Sequence, residues 1–468
     1  MQKEYDVIVV GAGPAGIFTA LELVELRPEM KILIIDKGRT IDRRTCPARK
    51  SGKCLNCNPC GITSGWSGAG AFSDGKLSLS PAVGGRITDY MSVELAQELV
   101  NYADSIYLRF GASSVVHGLN NKKFDEIQYE ASKYQIQVVH CPVRHLGTEL
   151  AGEVLNRMYE HLTQTGGVEF RELLTVVDIL LEGTVVKGVS VINHKGQEEE
   201  IFAPVVVVAP GRAGAGWLAD QTKKLNIRTE NNEVDIGVRV EVPNSILDHL
   251  TRELYEPKLI YFSDTFDLKT RSFCVNPGGV VSEEHYDGSL AVVNGHSYAD
   301  ESLKTGNTNF ALLVSTKFTQ PFDQPIEYGK YIARLANMLT GGGIMVQRLG
   351  DLLRGRRTDT SKIGKSSTVP TLKTAVPGDL SYVLPHRYLT SLVETLKAFD
   401  NIAPGLYSKH TLLYGVEVKF YSSKVIVSNN FETCFRNLYT IGDGAGITRG
   451  LIQASATGVV VARDIAKK

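Results

Sequence analysis

Apolar positions in this chain fall into three patterns. Near the N-terminus they run without a polar break, in Val7-Ile-Val-Val10 and Lys31-Ile-Leu-Ile-Ile35, as strands covered on both faces do. Between them, Ile17 to Arg27 reads as a helix stopped by Pro28, which cannot continue one. A third unbroken run, Val205-Val-Val-Val-Ala209, ends in Pro210-Gly211 and predicts a buried parallel strand whose C-terminal turn faces a ligand crevice. Helical periodicity governs Val93 to Val100, and Thr148 to Gln164, where Leu150, Val154, Leu155, Met158 and Leu162 share a face. Shorter strand-like pieces stand at Gln135–His140, Val168–Phe170, Val176–Leu181 and Val185–Ile192. Beyond residue 233 the pattern changes to alternation. Ile236-Gly-Val-Arg239-Val-Glu-Val242 predicts an antiparallel strand with one wet face, and further strands are expected at Ser272–Val275, Leu290–Val293 and Ile344–Gln347. Near the C-terminus a strand around Leu438–Ile441 meets Gly442-Asp443-Gly444, and an apolar helix follows to the end.

The glycines give these elements chemical meaning. Gly11, Gly13 and Gly16 stand at G-x-G-x-x-G spacing between a strand and a helix, and Asp36 closes the next strand. That is the β-α-β unit that binds a dinucleotide. Gly11 permits the tight turn, Gly13 lets the backbone approach a diphosphate, and Gly16 lets helix and strand pack closely. The phosphates belong at the helix N-terminus, where free amides and the dipole favour anions, and Asp36 is placed to accept from a ribose diol. A later stretch continues the theme: Ser64-Gly-Trp66-Ser-Gly-Ala-Gly70-Ala-Phe72-Ser73-Asp74-Gly-Lys76 is dense in small residues that let backbone press against a ligand. Its Trp66 and Phe72 are poor linker residues, which favours a cofactor-contacting loop with Gly70 and Ser73 at the ligand.

Charge and cysteine usage narrow the setting. Fifty-one Lys and Arg balance 51 Asp and Glu over 468 residues, so no global field draws nucleic acid or an anionic membrane. No apolar run approaches a membrane span. The first strand begins within about five residues, leaving no room for a signal peptide, so the expected location is cytoplasmic. Four of the seven cysteines crowd into one loop as Cys46, Cys54, Cys57 and Cys60, spaced C-x7-C-x2-C-x2-C, with seven Lys and Arg between positions 37 and 53. Such thiols can hold a [4Fe–4S] centre, with zinc as the alternative, or can work as a Cys54/Cys57 redox pair. Cys141 and Cys274 lack spaced partners and read as buried thiols. Arg354-Gly-Arg356-Arg357 reads as a solvated face.

Together the N-terminal fingerprint with Asp36, the Val205–Gly211 strand and turn, and Thr440-Ile-Gly-Asp443-Gly resemble the FAD signatures of the glutathione-reductase-type flavoprotein superfamily. Gly68-Ala-Gly-Ala-Phe-Ser-Asp-Gly-Lys76 and Arg449-Gly450 resemble, more narrowly, the "FAD-dependent dehydrogenase" family. The resemblance implies FAD, with Asp36 on the adenosine ribose, Asp443 on the ribityl chain and the Thr448–Gly458 helix aimed at the flavin. No second G-x-G-x-x-G for NAD(P)H occurs in mid-chain, since Thr340-Gly-Gly-Gly343 lacks the spacing. Nor is the C-x4-C pair of the disulfide reductases present.

The expected protein is of the α/β class: a discontinuous Rossmann-like FAD-binding domain with an inserted α+β substrate domain. Residues 1–87, 141–232 and 401–468 are assigned to the FAD domain, 88–140 to a mainly helical insertion, and 233–400 to the substrate domain. Expected cofactor contacts are Gly11, Gly13, Gly16, Asp36, Lys37, Gly70, Ser73, Gly211, Gly442, Asp443 and Gly450. Lys76, His296, Tyr298 and Arg449 are the candidates for catalysis. The expected activity is electron or hydride transfer with a small-molecule substrate, with an electron-carrier protein or transient NAD(P)H as partner, and neither nucleic acid nor membrane. Two rivals stand beside it: a flavin-linked thiol–disulfide reductase using Cys54 and Cys57, and a non-catalytic flavoprotein with structural zinc.

Overall fold

The computed structural model describes residues 5–47, 55, 57–72, 75–286, 290–298, 300–322 and 324–468. Contacts divide the chain into two units, one built from residues 1–115, 144–232 and 421–468, the other from 116–143 and 233–420. The first unit is organised by a five-stranded parallel sheet. Its order is Leu438–Thr440, Val205–Val208, Val7–Val10, Ile32–Ile35, Val168–Arg171. The unbroken Val and Ile runs are buried along their whole length, because parallel strands are covered on both sheet faces. Central Val7–Val10 pairs with Ile32–Ile35 on one side and Val205–Val208 on the other. A separate three-stranded antiparallel sheet, Leu174–Glu182, Val185–Asn193 and Glu198–Phe202, is made from the strands that precede Val205.

The N-terminal helix spans Pro14–Leu26 and so starts one turn earlier than the periodicity from Ile17 suggests. Proline is well placed at a first helical position, where its missing N–H costs nothing. This helix packs on the C-terminal helix Leu451–Lys467 through glycine. A Cβ on Gly458 would lie 2.3 Å from the Ala15 carbonyl oxygen, so only glycine allows the two backbones to meet. Buried Glu22 seals the same layer, accepting from Tyr102 Oη and Arg463 Nε at 2.7 Å each.

The second unit is built on an eight-stranded sheet, ordered Val376–Pro377, Met345–Arg348, Leu412–Lys419, Val234–Pro243, Asn307–Thr316, Lys269–Asn276, Lys258–Phe262, Gln137–Val139. All neighbours are antiparallel except the first pair. The segment 88–140, read from sequence as one insertion, is shared between units. Helix Val93–Arg109 belongs to the first, whereas helix Asn121–Ser132 and strand Gln137–Val139 belong to the second. The second unit also runs past residue 400 to Phe420, because Leu412–Lys419 pairs with the central strand Val234–Pro243.

The strand Val234–Pro243 corrects one expectation. Its residues alternate in polarity as predicted, yet Val234 to Val242 are all buried, so there is no wet face. The polar side chains are satisfied internally. Arg239 donates to both Glu417 carboxylate oxygens at 2.8 Å and to Asn309 Oδ1 at 2.8 Å, with Arg239 and Glu417 fully buried. Burial works against the Arg239 charge, but Glu417 outweighs it and holds the guanidinium above its ordinary pKa. Glu241 accepts from Thr371 Oγ1 at 2.6 Å, Asn307 Nδ2 at 3.1 Å and Tyr414 Oη. Alternation reported the chemistry of that face, and folding supplied its partners. Among the described residues no helix is long and apolar enough to cross a membrane.

Candidate dinucleotide site

The fingerprint turn is as tight as its glycines suggest. Gly11 sits at φ +103°, and a Cβ there would lie 2.2 Å from the Ala209 carbonyl oxygen. At Gly16 a Cβ would meet the Gly11 carbonyl oxygen at 2.1 Å. Gly13 is different, because a Cβ on it would meet nothing within 4 Å. The first two glycines answer to protein packing; the third opens onto space that a ligand can occupy. The helix begins here without a side-chain cap and without an acidic residue in its first turn. Its first internal hydrogen bond runs from Ile17 N to Gly13 O at 2.9 Å, so the Ala15 and Gly16 amides precede the ladder. An uncapped, acid-free helix start suits an anion.

Asp36 has more to do than face a ribose. Its Oδ2 accepts from Ala12 N at 3.0 Å, and its Oδ1 accepts from Gly38 N at 2.8 Å and Gly65 N at 2.7 Å. A carboxylate offers about four acceptor sites, so these three amides leave room for roughly one hydroxyl. Asp36 therefore fastens the fingerprint turn to the glycine-rich loop. Lys37 reaches the neighbouring turn, donating from Nζ to Ala213 O at 3.3 Å.

The glycine-rich loop lies against two helix starts. A Cβ on buried Gly70 would stand 3.1 Å from Leu451 Cδ2 and 3.8 Å from Pro14 Cγ. The N-terminal and C-terminal helices thus both begin against it. Like its counterpart, the C-terminal helix has no side-chain cap, with Gly450 at its N-cap and no acid in its first turn. Arg44 holds the loop from beneath, donating to the carbonyls of Gly61, Ile62, Trp66 and Gly68. Burial pushes its pKa down to about 10, while Asp36 and Cys60 act to raise it. Ser73 and Asp74 lie outside the described residues. Lys76, half-buried, opens the strand Lys76–Ser78.

Two further turns close onto the fingerprint. Gly211 (φ +59°) and Gly442 (φ +76°) end their strands in the left-handed region. A Cβ on Gly442 would lie 3.2 Å from Ala15 Cβ, and one on Gly444 would lie 2.6 Å from the Gly211 carbonyl oxygen. Asp443 Oδ1 accepts from Thr448 Oγ1 at 2.7 Å, and Arg212 Nε stands 3.6 Å from Oδ2. Arg449 stacks over the Tyr421 ring at 3.6 Å.

Sequence reading missed three residues that shape this region. They are Arg44, Gln453 and Asn232. Gln453, in the first turn of the C-terminal helix, donates to Pro81 O and Val83 O at 2.9 Å each and accepts from Ile87 N. Asn232 donates to Ser422 O at 2.7 Å and Gly446 O at 2.9 Å. Their signal was a polar residue amid apolar or loop sequence, which chain order alone does not tie to distant carbonyls.

His296 and Tyr298 belong to the second unit, where their rings meet edge to face at 5.0 Å. Cys46 and Cys60 are half-buried and Cys57 is exposed, while Cys54 lies outside the described residues. Among the described residues no group of three or more His, Cys, Asp or Glu is arranged to hold a metal; the expected four-cysteine set, which includes Cys54, extends beyond those residues.

Several known proteins resemble the chain. A protein of Clostridium beijerinckii, described as uncharacterized, is 28% identical over 484 residues, covering 98% of this chain and 80% of that protein. Among solved structures, pyridoxine 4-oxidase from Mesorbium loti aligns with 98% of this chain and 99% of its own at 12% identity and TM-score 0.44. Glycine oxidase from Geobacillus kaustophilus aligns with 99% and 95% at 13% identity and TM-score 0.39. Within the chain itself, residues 233–420 match the family described as FAD-dependent protein, C-terminal domain-like.

Proposed function

We propose that this protein is an FAD-dependent oxidoreductase of the "FAD-dependent dehydrogenase" type, acting on a small molecule in a cytoplasmic setting. The observation that carries this reading is the convergence of two uncapped helix starts, at Pro14 and Leu451, on the glycine loop at Gly70. The FAD-dependent family match over residues 233–420 supports the same cofactor. Bound FAD would supply two-electron, hydride-type chemistry. The chain's own groups then have separate tasks. Amides of the Pro14–Leu26 helix start bind the diphosphate, with Gly13 leaving the approach open. Asp36, with its remaining acceptor site, takes a ribose hydroxyl, and Asp443 accepts from the polyol chain while Thr448 orients it. The uncapped start of the Leu451–Lys467 helix would offer a positive dipole end to negative charge on a bound flavin. His296 and Tyr298 remain the candidates for proton donation, Lys76 for a polar contact at the reacting end, and Arg449 for stabilising developing negative charge.

Purification followed by heat release of any bound flavin tests this reading. Isoalloxazine absorbance at one equivalent, with an adenine-containing dinucleotide on chromatography, is expected; a preparation free of flavin that also fails to take up added FAD would falsify it. The C-x7-C-x2-C-x2-C spacing separately supports an iron–sulfur centre, with zinc or a Cys54/Cys57 dithiol as the alternatives. Elemental analysis of anaerobically prepared protein discriminates them: iron, zinc, or neither.

A further inference from the structure

We propose that Arg44 is a positioning residue for the dinucleotide's diphosphate, acting through the Gly61–Gly68 loop. The inference rests on the FAD reading and adds a residue outside the fingerprint to it. Arg44 is only 5% exposed. Its Nε donates to Gly61 O at 2.9 Å, its Nη2 to Ile62 O at 2.5 Å and Gly68 O at 2.7 Å, and its Nη1 to Trp66 O at 2.5 Å and Ser67 Oγ at 3.4 Å. All these partners are neutral, so none of them cancels the guanidinium charge.

Gathering carbonyls on one side of a loop has a consequence on the other. In a planar trans peptide the C=O of one residue and the N–H of the next point in opposite directions. With the Gly61, Ile62, Trp66 and Gly68 carbonyls turned to Arg44, the amides of Ile62, Thr63, Ser67 and Ala69 are turned away from it. Ser67 N donates to Ala12 O at 2.6 Å, inside the fingerprint turn. Gly68 follows at φ +56°, and a Cβ on it would lie 3.4 Å from Gly13 Cα. The next amide, Ala69, therefore leaves Gly68 beside the opening that Gly13 keeps clear. A backbone amide aimed into such an opening can bind an anion. Arg44 fixes that arrangement and adds a buried positive charge behind it. The ligand chemistry is a dinucleotide diphosphate, and Asp36, which accepts from Gly65 N at 2.7 Å, holds the same loop at its middle.

The holoenzyme provides the test. In Arg44→Lys, FAD release followed by flavin fluorescence is expected to quicken roughly 10-fold or more, and both diphosphate resonances in the phosphorus NMR spectrum of bound FAD should shift. The visible flavin bands should stay unchanged. Arg44→Ala should release FAD faster still and recover when guanidinium chloride is added at low millimolar concentration. A purely structural role predicts loss of thermal stability without selective movement of the phosphorus resonances and without rescue. If the Arg44 variants fail to fold, Ala69→Pro removes the single amide, and unchanged FAD release with unchanged phosphorus resonances there overturns the inference. A wild-type protein that binds no flavin overturns this inference and the functional reading together. Wild-type flavin binding with indifferent Arg44 and Ala69 variants overturns this inference alone.

Discussion

Two buried central strands in this protein solve burial in opposite ways. Val7–Val10 is apolar on both faces and needs nothing beyond its parallel neighbours and the helices that cover it. Val234–Pro243 is equally buried but carries Asp235, Arg239 and Glu241 on one face. Every charge there must find a partner, because an unpaired buried ion costs far more than a buried hydrocarbon. The first strand is tolerant in detail, since any β-branched residue of similar volume fills its positions. The second depends on particular pairs, and its failure modes should be correspondingly sharp.

The largest expected effect lies in the polar strand. Glu417→Ala leaves Arg239 buried without its bidentate partner and should destabilise the protein by about 3–5 kcal/mol. Adding Arg239→Met should return much of that loss, and chemical denaturation of both variants measures it. If the double variant is as unstable as the single, the pair is not the reason for the cost. In the apolar strand, Ile8→Ala should cost about 2–4 kcal/mol through lost burial and the cavity left behind. No second substitution among its neighbours should rescue it unless that change refills the volume. Below both strands in order of effect comes the candidate site, where Asp443→Ala should weaken FAD retention roughly 10-fold with little shift in thermal midpoint. A large fall in midpoint would mean that the Asp443–Thr448 contact chiefly holds the turn. The smallest effect concerns acid. Asp351 is buried, which acts to raise its pKa, but hydrogen bonds from Arg348, Thr358 and Arg356 bring it down to about 2. A depressed carboxylate pKa adds stability that is complete above the ordinary Asp value and fades as pH falls toward about 2. Asp351→Asn should reduce the loss of stability with falling pH in that window, seen as a smaller drop in melting midpoint than in the wild type.

How much was legible depended on the range of each interaction. The β-α-β unit was readable because its signal is local: Gly11, Gly13 and Gly16 lie within six positions, and the strands flank them directly. The cofactor-loop reading of residues 64–77 drew on the same local density of glycine. Partners distant in sequence were not readable. Glu417 follows Arg239 by 178 positions, and nothing in the alternating pattern around Arg239 announces that a carboxylate will cover it. The wet face expected there was therefore replaced by a buried network. Arg44 was hidden for the same reason in miniature. As one of seven basic residues around the cysteine loop it was not singled out, whereas its environment is a ring of backbone carbonyls that sequence does not display.

By itself the sequence determined the parallel α/β scaffold, the glycine turns and the class of ligand they suit, because steric permission at a glycine and hydrophobic period along a strand are properties of neighbouring residues. Tertiary structure alone decided that Asp36 ties two loops together, that the helices at Pro14 and Leu451 both begin against Gly70, and that the polar face of Val234–Pro243 is dry. Those outcomes depend on which distant groups arrive to satisfy a donor, an acceptor or a charge. Burial raises the cost of leaving them unsatisfied, and only the folded chain assigns the partner.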